Sequence, residues 1–359
     1  AVVAAPTLSG IETLNVQAQV TARTLDLSKA AGLKTLSVDA SQQSLTARGI
    51  QNAVAVEVKN SVDVGVTGMD TLVQFADSVV SGTTDVAKLT LTSNGNASVG
   101  SDQFINLRGT ATGGFETLEI TANGTNRIAE VLSDSTVGLD TTATAANAVR
   151  TIKVSGEGSL RVDNALTSTT TFDASANKGG VNVWLNNAGA ITVTGGEGND
   201  TFNLAGNLTN TDKIDGGLGR DTIRVSSATN AGLAVGNQVS GVEILRVDDN
   251  AGQSFTFDND DITSIDTIVH NVAGGAGMTY QDMAVASASD AAKGLTILNT
   301  GNVTYNLKGV GGLGATNQGL YVKVGGTNAA DAAALQTVAA NTGTISTDGS
   351  SLTLDVQAF

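Results

Sequence analysis

Two nonapeptides carry the one spacing in this sequence that is specific to a chemistry. Residues 195–203 read GGEGNDTFN and residues 216–224 read GGLGRDTIR. Both fit G-G-x-G-x-D-x-U-x, with U a large apolar residue. Gly196, Gly198, Gly217 and Gly219 admit a tight turn and leave carbonyl oxygens open to a cation. Asp200 and Asp221 each supply a hard anionic oxygen, the kind of ligand that calcium takes. Phe202 and Ile223 follow two residues later and are expected to point inward, tying each turn to a core. Asp215 is a nearby extra carboxylate, and so is Asp212. Farther along, Asp258, Asp260 and Asp261 crowd one turn, as do Asp248 and Asp249, with Asp163-Asn164 a weaker case. Such clusters either bind a cation or lie solvated and mutually repelling.

Catalytic patterns are missing where they should be easy to see, and the chain is read as a non-enzyme. There is no Cys, which removes thiolate metal sites, cysteine nucleophiles and disulfides. His270 is the only histidine; within Thr267-Ile268-Val269-His270-Asn271 it reads as a strand residue facing solvent or a polar partner. Neither a G-x-S-x-G elbow nor a Walker loop occurs. A net charge of -15 repels nucleic-acid phosphates and anionic lipid. No apolar run approaches the roughly 20 residues of a membrane-spanning helix. Asp outnumbers Glu 26 to 8, which favours turns and hard cations over helices. The chain opens Ala1-Val2-Val3, without initiator Met or basic leader, and is expected to be a fragment or a processed form.

The elements that must position the two turns are short strands. Thr13-Leu14-Asn15-Val16, Thr24-Leu25-Asp26-Leu27 and Thr35-Leu36-Ser37-Val38 alternate apolar and polar side chains, and similar segments recur to the C-terminus. Gly, Asn, Asp and Ser punctuate the gaps. Strands at intervals of roughly ten residues suit a β-solenoid or a many-stranded sandwich, and scarce aromatics (3%) favour the solenoid. In a coil of two strands and two turns, one side is revisited after about eighteen residues. The two nonapeptides start 21 apart, so they are expected to stack on one edge, with calcium between them. Helices are expected over 329–341, and on weaker patterns over 70–80 and 281–293. A soft boundary near 135 divides the chain into 1–134 and 135–359, with 135–146 a polar excursion. The phrase G-x-E-T-L, seen at Gly10, Gly114 and in variant form at Gly241, reads as a turn leading into a strand. Its Glu is expected to cap the turn or lie in solvent. Lys34 replaces it in a fourth copy.

The paired nonapeptides resemble those of RTX proteins, which Gram-negative bacteria export by type I secretion and which fold as calcium binds outside the cell. The resemblance implies an all-β, elongated parallel β-solenoid or β-helix with RTX β-roll turns and a few short helices. Only two copies of the repeat are present, whereas RTX toxins and proteases carry longer arrays. The wider composition and the G-x-E-T-L strands are similar to the C-terminal assembly region of Caulobacter-type surface-layer proteins. That likeness implies a structural subunit outside the cell that assembles with copies of itself into a calcium-dependent hexagonal lattice. No segment matches the family's lipopolysaccharide-anchoring region, so any such contact would be made outside this chain. A calcium-rigidified adhesin or matrix protein, and the non-catalytic part of an RTX enzyme, remain as alternatives. The closing segment Leu352 to Phe359 reads either as an export signal or as a last strand.

Overall fold

In the computed structural model the chain is a parallel β-solenoid. Residues 2–61, 69–95, 103–110, 114–132, 149–226, 238–248, 255–258, 262–271, 278–283, 286–287, 294–297, 303–307, 318–324, 344–346 and 353–358 are described. They fall into two units, Ala1–Asn187 with Ile191–Asn199, and Ala188–Ala190 with Asp200–Phe359. The expected boundary near 135 and the excursion 135–146 lie outside the described residues, as does the expected helix 329–341.

In the first unit, successive coils lay parallel strands side by side. One sheet runs through Thr13–Val16, Thr35–Asp39, Ala55–Lys59, Val86–Thr92, Thr117–Asn123, Thr151–Gly156, Thr171–Asn177 and Thr192–Thr194. A second is built from Val2–Ala4, Arg23–Asp26, Leu45–Ile50, Met69–Phe75, Gln103–Arg108 and Glu130–Leu132. The registers explain why the alternation specifies this fold. Leu36, Val56, Leu89, Ile120 and Val154 are partners across consecutive strands and all are buried. Each such side chain contributes roughly 1.5–3 kcal/mol on burial, and a one-residue slip would turn the whole row outward.

The same logic builds the second unit. Thr201–Ala205, Thr222–Ser226, Ile244–Asp248, Thr267–Asn271 and Gly294–Ile297 pair in parallel, stacking the buried Phe202, Ile223, Leu245 and Ile268. A further sheet joins Phe255–Asp258, Met278–Met283, Val303–Leu307 and Thr344–Ser346. The closing segment supplies the strand Thr353–Ala358, parallel to Gln318–Val324.

Two helix expectations are corrected. Residues 70–80 form the strand Met69–Phe75 and one 3-10 turn, Asp77–Val79. Residues 281–283 belong to the strand Met278–Met283 and 286–287 to another, the remainder of 281–293 lying outside the described residues. The reason is non-local: Thr71, Val73 and Phe75 are buried on the inward side of a strand whose neighbours on both sides are already extended.

His270 also departs from expectation in part. It is fully buried, in register with the buried Val247, and its polar partner is the Tyr280 hydroxyl at 3.0 Å from Nδ1. Burial pushes its pKa down to about 4. The unfolded chain therefore takes up a proton between pH 6.5 and about 4 that the folded chain refuses, and stability falls as pH drops through that window. Because this is the only histidine, its ring resonances report without overlap. They are expected to titrate near pH 4; a midpoint near 6.5 would contradict the buried placement.

Candidate metal centre

The second nonapeptide turn links the short strand Lys213–Asp215 to the strand Thr222–Ser226. Thr201 pairs with Thr222 and Phe202 with Ile223, so the strands that follow the two turns are in register. That register sets Asp200 against Asp221, and Glu243 next in the column, before strand Ile244–Asp248. The backbone confirms the spacing: Thr222 N–H donates to the Asp200 carbonyl at 2.8 Å, and Ile244 N–H to the Asp221 carbonyl at 2.9 Å.

Asp221 is the centre of this column and has no exposed surface. Its Oδ1 accepts the Asp200 N–H at 2.7 Å, and its own N–H donates to Glu243 Oε2 at 2.8 Å. Its Oδ2 is buried without any hydrogen-bond donor. Desolvation raises the Asp221 pKa to about 7; the Asp200 N–H opposes the shift, and the charges of Asp200, Glu243 and Asp215 add to it. An ionised carboxylate with one bare buried oxygen is costly unless a cation meets it.

The backbone around Oδ2 is close-packed and rich in oxygen. Gly216 N–H donates to the Ser240 carbonyl at 2.9 Å. A Cβ on Gly216 would collide with the Gly241 carbonyl oxygen and stand 2.6 Å from Asp221 Oδ2, so both oxygens lie on the same side of Gly216. Asp215 Oδ1 accepts the Gly217 N–H at 3.3 Å. Gly217 and Gly219 sit at φ +92° and +121°, which an L side chain rarely adopts. Gly196 and Gly198 serve differently: a Cβ on either would strike the preceding turn, at the Asn177 carbonyl and the Gly180 nitrogen.

Turns in the first unit show what a self-sufficient buried polar row looks like. Ser61 N–H donates to Asn94 Oδ1, Asn94 N–H to Asn126 Oδ1, and both amide groups donate onward to main-chain carbonyls. Amides carry donors as well as acceptors and close such a row among themselves. A carboxylate carries none, and Asp221 is left with an acceptor to spare.

No family model, curated protein or solved structure matches the chain. Among the described residues no group of three or more His, Cys, Asp or Glu is arranged to hold a metal ion. The oxygens on this side of Gly216 are instead one carboxylate oxygen, Asp221 Oδ2, and the Gly241 carbonyl, both hard donors. Such a set suits calcium better than a nitrogen- or sulfur-preferring metal.

The other acidic candidates are placed elsewhere or are already engaged. Asp212 is buried and closes the opposite turn by accepting the Thr209 N–H at 2.6 Å. Asp248 accepts from Arg224, Arg246 and Asn271, which together hold its pKa low although burial opposes them. Asp163 is engaged in the same way by Arg127 and Arg161. Those carboxylates neutralise stacked arginines and do not await a cation. Asp258 ends the strand Phe255–Asp258, while Asp249, Asp260 and Asp261 lie outside the described residues.

Glu243 is the residue whose place at the site the sequence reading underrated. It caps a turn, as expected of the G-x-E phrase, but the turn it caps is that of Asp221. Glu116 caps Asp85 likewise, and Glu12 pairs with Lys34 on the surface at 2.6 Å. The signal was phase: Glu243 follows Asp221 by 22 residues, nearly the 21 that separate Asp221 from Asp200.

Proposed function

We propose that this chain is a structural, non-catalytic subunit of a bacterial surface layer, in which calcium fixes the RTX-type turns and copies assemble into a regular array. The observation that carries the reading is Asp221 Oδ2: a buried, donor-free carboxylate oxygen at the sixth position of an intact nonapeptide. Calcium there would be held by Asp221 and adjacent main-chain carbonyls, and it would supply charge neutralisation and turn rigidity rather than chemistry. The parallel solenoid supports a structural role, because it presents long, repetitive faces of strands. Repulsion between copies at net charge -15 gives calcium a second task in assembly. Among the described residues no helix is long and apolar enough to cross a membrane. Export by type I secretion, a Gram-negative cell surface and lipopolysaccharide anchoring through another region complete the proposal.

Electron microscopy of the purified chain, in EDTA and then at roughly millimolar calcium, tests it. Sheets or regular arrays larger than a dimer, forming only with calcium, are expected. Dispersed particles at saturating calcium would reject the array and favour an adhesin that displays the same scaffold.

A further inference from the structure

The outer face of the first unit carries an ordered row of charge. Lys88 lies beside Glu119, Glu119 beside Lys153, and Lys153 beside Asp173, on four consecutive parallel strands. All four point away from the core, because their chain neighbours Ala87, Leu89, Leu118, Ile120, Ile152, Val154, Phe172 and Ala174 are buried. The row reads plus, minus, plus, minus at the strand spacing of about 4.8 Å. It ends at Thr194, which follows Asp173 in register. On one side it is flanked by Val86, Thr117, Thr151 and Thr171, and on the other by Thr90, Thr121 and Ser155. The flanks are small, uncharged and mostly hydroxyl-bearing.

An even-numbered alternating row is complementary to itself when reversed. We propose that this face is an interface between two copies of the chain, packed face to face about a two-fold axis. The axis runs parallel to the strands, between Thr117–Asn123 and Thr151–Gly156. Lys88 then faces Asp173 of the second copy, and Glu119 faces Lys153, twice each. The flanking rows meet themselves, Thr117 opposite Thr151 and Thr121 opposite Ser155, so no like charges oppose. A face-to-face pairing with the rows running the same way would set every charge against its own kind. Cross-strand attraction within one copy, such as Lys153–Glu119 at 3.9 Å, accounts for alternation but sets no preference between copies. The pairing does not rest on calcium, since none of the four residues belongs to the Asp221 turn. Its failure would leave the calcium reading standing, and the reverse.

The test is charge exchange. The fourfold variant Lys88→Glu, Glu119→Lys, Lys153→Glu and Asp173→Lys keeps the alternation within each copy and its complementarity to itself. Against the parent chain, all its charges meet like charges. Sedimentation equilibrium in EDTA and in calcium is expected to show dimers of the parent and of the variant. Affinity-tagged parent should capture the variant about tenfold less, or worse, than it captures untagged parent. Equal capture, or a parent that stays monomeric at every concentration in both buffers, would overturn the proposal. Should the fourfold variant not fold, the exchange Lys88→Asp with Asp173→Lys gives the same comparison with only the row's ends reversed.

Discussion

Asp221→Asn is expected to remove the calcium response of the chain while making the calcium-free protein more stable above neutral pH. The parent's Asp221 has a folded-state pKa of about 7 against 3.8 for the ordinary side chain, so the folded state holds this proton more tightly than the unfolded one. In EDTA, the stability of the parent is therefore greatest below about pH 4 with respect to this group, and declines as pH rises through 7. Asparagine carries no charge to desolvate. Its oxygen can still accept the Asp200 N–H, and its amide brings a donor to the oxygen-rich side of Gly216. With calcium present the order reverses, because only the carboxylate offers the cation an anionic ligand. At calcium one hundred times Kd, linkage adds about 2.7 kcal/mol to the parent. Urea melts in EDTA and in calcium at pH 5 and pH 8 give all four comparisons. A variant that keeps the full calcium shift would remove Asp221 from the ligand set.

Much of this fold can be read from alternation alone, because a solenoid repeats one local rule. In Thr35-Leu36-Ser37-Val38 and its successors, inward residues meet inward residues of the next coil, so local pattern and tertiary contact agree. The phase of the nonapeptides was legible for the same reason: 21 residues between Asp200 and Asp221 return the chain to the same edge. Where the reading failed, a neighbouring coil decided the matter. Leu72, Phe75 and Val79 mark one face of a helix, but Val73 pairs with Ala47 on one side and Leu107 on the other, and those strands fix it as extended. His270 follows the inward alternation of Ile268, which its polarity obscured, and Tyr280, the partner that makes burial tolerable, comes from another sheet. For the candidate site, the motif and its buried aspartate were visible. The orphaned oxygen was not, since it depends on which donors the next coil brings, and that coil brings a glutamate and a glycine.

Among the described residues of the second unit, Gly216→Ala should be the most damaging glycine-to-alanine change. At Gly216 the need for glycine is one of space: the added carbon meets the Gly241 carbonyl and Asp221 Oδ2. Neither can retreat cheaply, because Gly216 N–H is bonded to Ser240 in the same turn and Asp221 is held by Asp200 and Glu243. We expect a loss of about 3 kcal/mol, at the upper end for overpacking, together with loss of the calcium response. Gly32→Ala is the matched control. Its φ of +87° makes alanine strained, but nothing stands within 4 Å of the new carbon. Its cost should be about 1 kcal/mol, with the calcium response intact. In a repeat fold each coil leans mainly on its neighbours, so the damage should be local. Hydrogen exchange should accelerate across Lys213–Asp215, Thr222–Ser226 and Ile244–Asp248, and leave Thr35–Asp39 and Ala55–Lys59 protected. If Gly216→Ala costs no more than the control and still responds to calcium, the turn can open to admit a side chain, and the close approach of Gly241 does not define the site.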